Sequence, residues 1–254
     1  MTQRLLLTAF ALVALAGALS FGTVSHAQEA AGGCTPATTE EGGFGVIYNM
    51  PPAIPDNDTG GISLCMNVTS TQSIYDLRVM VGIAHTWVGD LVVTLRHEQT
   101  GTTVTLVDRP GLPAMVNGCG GDDLAVLFDD GAPTAAEDEC AVSPPALFGT
   151  FRPSSPLSAF DGETIGGRWW LEVSDVAAQD TGIVHQWGII SFVRGDADCN
   201  GHTNAIDAAL VLQYDAGLTG LPVCPAYADF NSDMVINSID AALILQFAAG
   251  LLPV

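Results

Sequence analysis

Residues 195–250 carry one pattern twice, and that duplication limits what the chain can fold into more than any other feature. Asp196, Asp198, Asn200, Gly201, Asn204 and Asp207 recur in order as Asp229, Asn231, Asp233, Met234, Asn237 and Asp240. Each set runs into an alanine- and leucine-rich helical stretch, AALVLQYDAGL from Ala208 and AALILQFAAGL from Ala241. Side chains at alternate positions of a twelve-residue loop can all point inward, and a hard cation such as calcium takes six to eight oxygens at about 2.3–2.6 Å. A single run of this kind reads equally as an acidic turn, since Asp and Asn favour turns anyway. Two runs in register through position twelve predict two calcium loops. The first would use Asp196, Asp198, Asn200, the His202 carbonyl, Asn204 and Asp207; the second Asp229, Asn231, Asp233, the Val235 carbonyl, Asn237 and Asp240. Position six normally demands Gly for a sharp turn. Met234 in that place predicts strain and a weaker second loop.

The loop-helix pair over 195–254, with repeats at 195–217 and 228–250, resembles a type I dockerin. The resemblance implies a small all-α domain with EF-hand-like repeats, folding that depends on Ca2+ at two sites, and docking to a cohesin-type protein domain. It also implies that loop positions ten and eleven, with the helices, read the partner. Here those residues are Ala205, Ile206, Leu212 and Gln213, then Ser238, Ile239, Leu245 and Gln246. The family's frequent Ser-Thr pair and basic helix residues are missing, which leaves the identity of the cohesin open. An apolar patch on a secreted protein more often marks a contact than a bare surface.

Charge excludes some partners. The chain has 28 acids against seven arginines and a net charge of −21. Nucleic acid and anionic membrane surfaces require clustered Lys or Arg, so neither is expected. Residues 195–254 hold seven acids and no base, and six of the seven are proposed calcium ligands.

Before residue 194 the periodicity is two. Leu77, Val79, Val81 and Ile83 alternate with other residues, as do Leu91, Val93 and Leu95, then Trp169, Leu171 and Val173; Ile183 to Phe192 reads as a last long strand. Short alternating runs between Gly, Pro and Asp loops predict an antiparallel sandwich or jelly roll over 46–193, with 28–45 as a linker. The string His85-Thr86-Trp87-Val88-Gly89-Asp90-Leu91, Phe148 to Pro153, Leu157 to Gly162, Gly167-Arg168-Trp169-Trp170-Leu171 and Asp180-Thr181-Gly182 resembles the P domain (P/Homo B). That jelly roll follows the catalytic domain of kexin-, furin- and subtilisin-like serine proteases. The resemblance implies an accessory module without catalytic residues of its own.

A subtilisin-like triad needs Asp, His and Ser brought together, with the Ser in a Gly-Thr-Ser context. Gly101-Thr102 is followed by Thr103 and Gly149-Thr150 by Phe151. His85 near Asp90 reads as a satisfied strand-end group, and His185 beside Trp187 as structural. Asp56, Asp58, Asp129, Asp130, Asp175 and Asp180 read as turn caps, with a further calcium site at the loop end as the alternative. Trp87, Trp169, Trp170 and Trp187 read mainly as packing, Trp170 being the candidate for stacking on a sugar. Three functions stay open: a non-catalytic docking protein, an accessory part of a subtilisin-like endopeptidase system, and a carbohydrate-binding component of a polysaccharide-degrading assembly.

The start of the chain reads as an export signal. Arg4 precedes an apolar run from Leu5 to Leu19, and Ser25-His26-Ala27 offers a cleavage site, so residues 1–27 would be removed and the protein secreted. The alternative is a membrane anchor; a cleaved signal would leave nothing inserted. Six cysteines then suit an oxidising compartment. Six cysteines allow fifteen connectivities, and local order suggests Cys34–Cys65, Cys119–Cys140 and Cys199–Cys224.

Overall fold

The computed structural model describes residues 34–40 and 43–252. The expected signal segment, 1–27, lies outside them. Twelve strands precede three helices: β1 (Thr35–Pro36), β2 (Thr38–Glu40), β3 (Gly43–Ile47), β4 (Ala53–Ile54), β5 (Asp58–Val68), β6 (Asp76–His85), β7 (Leu91–His97), β8 (Thr103–Asp108), β9 (Leu124–Phe128), β10 (Leu147–Phe151), β11 (Gly167–Asp175) and β12 (Gly182–Phe192), then α1 (Ala205–Asp215), α2 (Pro225–Ala228) and α3 (Ser238–Ala248). The strands form a five-stranded sheet in the order β1-β5-β11-β7-β8 and a seven-stranded sheet in which β10-β9-β6-β12-β3-β2 is the main path. This is a β-sandwich followed by a small helical part.

Alternation makes the core. Leu91, Val93, Leu95 and His97 of β7 face inward, opposite Trp169, Leu171, Val173 and Asp175 of β11. In register, Trp169 sits across from His97, and their rings stack at 4.2 Å. Trp169 is fully buried, donates from Nε1 to the Ile165 carbonyl at 2.8 Å and meets Phe160 edge-on. Central β6 is buried on both faces through Val79–Ile83, and its partner β12 pairs with it from Gly182 to Phe192. The register slips between Val184 and Gln186, so His185 sits at a bulge. Burial lowers its pKa.

Two expectations need correction. Residues 28–45 are not simply a linker: β1, β2 and most of β3 lie there. β3 pairs antiparallel with β12, Gly45 opposite Gly188, and a Cβ on Gly188 would stand 2.7 Å from the Phe44 carbonyl oxygen. Glycine lets the backbones approach, and the same glycines hid the strand from a hydrophobic-period reading. The sandwich is also not purely antiparallel, because β10 runs parallel to β9 and β1 parallel to β5. A parallel pair needs a long crossover, and the 129–146 loop supplies it for β9 and β10.

In the helical part, α1 and α3 bury Ala208, Val211, Ala241 and Ile244 around Ala197, Ala228 and Phe230. Alanine at 208 and 241 keeps the helix contact close. Each helix starts at an asparagine cap, Asn204 or Asn237, closed into a capping box by Asp207 or Asp240. Each ends on a left-handed glycine. Leu218 N–H returns to Gln213 O and Gly217 N–H to Tyr214 O, and Leu251 and Gly250 do the same to Gln246 and Phe247. The repeat therefore extends from sequence into both helix stops.

Candidate calcium-binding site

The two loops share one hydrogen-bonded frame. Asp196 accepts from the N–H groups of Asn200 at 3.1 Å and Gly201 at 2.8 Å; Asp229 accepts from Asp233 at 3.1 Å and Met234 at 2.7 Å. Asp207 Oδ1 accepts from Ala197 N–H and its Oδ2 from Asn204 N–H, as Asp240 does from Asn231 and Asn237. Positions four and six are left-handed in both: Cys199 and Gly201 at φ 60° and 83°, Ser232 and Met234 at 59° and 70°. Met234 thus adopts a glycine conformation with a side chain, and the residue is 94% exposed.

Asp196, Asp198 and Asp207 each offer a carboxylate oxygen, and the three lie within 4.8 Å of one another. Among the described residues no second group of three acids, histidines or cysteines converges in this way. The second loop has Asn231 where the first has Asp198, and its third acid, Asp233, stands at position five. Burial, then the proximity of Asp198 and Asp207, pushes the Asp196 carboxyl up to about 7, against the pull of the Gly201 and Asn200 N–H groups. Burial also raises Asp207, against the Asn204 N–H. Carboxylates held together and reluctant to ionise lack a compensating charge, and a hard dication suits that donor set.

The other expected residues fall as follows. Asn200 and Asn204 spend side-chain oxygens on the His202 and Ile206 N–H groups; Asp233 and Asn237 do the equivalent for Val235 and Ile239. Ala205, Ile206, Leu212 and Gln213, with Ser238, Ile239, Leu245 and Gln246, are exposed in both repeats. The disulfides are Cys34–Cys65, Cys119–Cys140 and Cys199–Cys224.

The six sandwich aspartates serve turns and neighbours. Asp58 and Asp129 accept from Gly60 and Gly131, Asp130 from Leu157 and Ser158, Asp56 from Gln179, Asp175 from Ala177, and Asp180 from the Thr86 hydroxyl. His85 is buried, with Nε2 3.2 Å from Asp175 and Nδ1 2.9 Å from the Trp87 carbonyl oxygen. Trp170 lies under the Arg96 guanidinium and donates to Glu98. Sequence reasoning missed Asp215, the one dockerin-region acid outside the ligand set. It ends α1 and accepts from Ser238 N–H at 2.9 Å, tying the first helix to the start of the last.

A family model of the proprotein convertase P-domain matches residues 145–191, and one of the type I dockerin domain matches 194–247. The chain carries a P-domain followed by a type I dockerin domain. The chain is also similar to the calcium-dependent proteases of Trichormus variabilis, 31% identical over 138 residues, and of Nostoc sp., 30% identical over the same length. Those matches cover 54% of this chain, which spans 17% of the length of these curated relatives. Among solved structures, the Aeromonas sobria serine protease in complex with its chaperone has a TM-score of 0.37 and 16% identity over 58% of this chain and 25% of that one. No described helix is long and apolar enough to cross a membrane. The P-domain match falls on the last strands of the sandwich, β10 to β12, and the dockerin match on the helical part, in the order the sequence suggests.

Proposed function

We propose that the chain is a secreted, non-catalytic adaptor in which two calcium ions order the EF-hand-like loops of the dockerin and its helices dock on a cohesin-type domain. The jelly-roll P-domain is the displayed part, and it works as an accessory module in a protease-associated setting. The observation that carries this reading is the equivalence of the repeats. Both loops have the same frame, and both expose the same pair of apolar side chains, Ile206 with Leu212 and Ile239 with Leu245, at 44–61%. Apolar groups held in the open by a rigid, metal-ordered scaffold are suited to a protein contact. The protease association rests on the P-domain match and on relatives that are calcium-dependent proteases. The His85–Asp175 pair is sealed inside the fold and supports packing rather than catalysis.

Binding to a panel of purified cohesin-type domains, measured by surface plasmon resonance in calcium and in EGTA, tests the docking role. A cohesin is expected to bind only in calcium, and I206D/I239D is expected to weaken it at least tenfold while calcium binding persists. Binding that survives EGTA, or that the double variant leaves intact, would contradict the reading.

The second loop makes its own prediction. Left-handed backbone costs a residue with a side chain about 1–2 kcal/mol. Because such loops fold with their ion, that strain is charged against metal binding. Met234→Gly should therefore raise calcium affinity at the second loop about five- to thirtyfold, read by calorimetric titration. No gain would show that the loop carries no strain into binding.

A further inference from the structure

The two loops differ in what touches them from outside. Gln72, in the P-domain just ahead of β6, reaches the first loop at positions six and seven: its amide donates to the Gly201 carbonyl and to His202 Nδ1, the latter at 2.6 Å. His202 is the residue whose carbonyl is assigned to the ion, so Gln72 holds its ring and the peptide that leads into it. A second line reaches the same loop at positions two and four. Tyr227 of α2 donates its hydroxyl to Asp76 of β6 at 2.7 Å and stacks on Phe192 of β12 at 4.5 Å. Three residues earlier, Cys224 is disulfide-bonded to Cys199, and its N–H donates to the Ala197 carbonyl at 3.0 Å. Thr203, just past position seven, donates to the Arg194 carbonyl at 2.7 Å. Among the described residues, the second loop meets this junction only near its start, where the Phe230 carbonyl receives the Arg194 Nε–H at 2.7 Å and its ring lies under the guanidinium. Its positions six and seven, Met234 and Val235, are 94% and 56% exposed.

We infer that the P-domain is a positioning platform for the first calcium loop: Gln72, and the line Asp76–Tyr227–Cys224–Cys199, hold that loop in ligating geometry before the ion arrives. Site one then fills ahead of site two, because less ordering remains to be done when the ion binds. Linkage makes the effect mutual, so calcium in the first loop also tightens the junction between the two domains. The inference rests on the calcium reading above and adds to it a reason for the order of filling. Gln72 and Tyr227 are positioning residues, since neither is assigned to the ion.

The test is a calcium titration of the full chain followed by NMR, with the Gly201 and Met234 amides reporting the two loops separately. In the parent protein the Gly201 midpoint is expected at lower calcium than the Met234 midpoint. Gln72→Ala and Tyr227→Phe should each move the Gly201 midpoint to calcium about three- to tenfold higher, the worth of one hydrogen bond, and leave the Met234 midpoint in place. Tyr227→Phe removes a single hydroxyl and keeps the stacked ring, so the fold survives it. Unmoved Gly201 midpoints in both variants would overturn the platform while leaving calcium binding intact. A parent protein in which neither amide responds to calcium would instead remove the calcium reading itself.

Discussion

Asp207→Ala will disable the first loop and destabilise the whole dockerin. Asp207 is fully buried and receives the N–H groups of Ala197, Asp198 and Asn204 while closing the capping box of α1. Removing it deletes a cap, worth about 0.5–2 kcal/mol, and strands the buried Ala197 N–H at about 1–3 kcal/mol, for a total of about 1.5–5 kcal/mol. The module cannot absorb that loss, because its core is a handful of side chains around Val211 and Ile244. α3 leans on α1, so the second loop follows the first. Circular dichroism melts in calcium are expected to show the helical signal lost at much lower temperature while the sandwich transition stays. Asp207→Asn, which keeps the size but cannot accept through its Nδ2, should fall between. An alanine variant that melts with the parent would mean that Asp207 organises neither helix nor loop.

Trp169→Ala is expected to cost the sandwich about 3–5 kcal/mol, the usual penalty for emptying a buried aromatic site. Three contacts go together: the stack on His97, the edge contact with Phe160 and the hydrogen bond to the Ile165 carbonyl. The last leaves a buried acceptor unpaired, which raises the cost above simple volume loss. His97 also loses the ring that shields its contact with Glu163, 2.7 Å away. Chemical denaturation should show a lower midpoint for the β signal, with Trp169→Phe recovering part of the loss. A change below about 1 kcal/mol would mean that the site collapses around the cavity.

The acidic loops were legible because their chemistry is local. Each residue proposed for the ion lies within twelve residues of the first, and the spacing of Asp196, Asp198 and Asp207 brings their carboxylates together in the structure. Strands with clean alternation were equally visible, as in β7 and β11. What stayed hidden depended on distant partners. β5 begins with Asp58, Thr59, Gly60 and Gly61, which read as a turn, and becomes a strand because β11 pairs along it. β9 and β10 reveal their parallel pairing only once the intervening crossover is placed. Gln72 carries no sequence signal at all, being a polar residue in a polar stretch whose role comes from the far loop it reaches. Asp215 lies outside the repeated ligand pattern, and its bond to Ser238, which connects the two helices, appears only once α3 is packed beside α1.

The short N-terminal strands have a consequence for self-association. β1 closes the open side of β5 in one sheet, and β2 is the outermost strand beside β3 in the other, so residues 34–40 guard an edge of each. Both are too short to template much pairing themselves, which is how natural sheets blunt an edge. A chain trimmed to begin at residue 46, as a linker reading would suggest, loses β1, β2 and most of β3 together. The β12 backbone beside Gly188–Ile190 and the flank of β5 would then both lie bare, with Ile189 and Ile190 next to them. Two unguarded edges on one molecule allow growth in two directions, so the trimmed protein would assemble into chains of sandwiches rather than stop at a dimer.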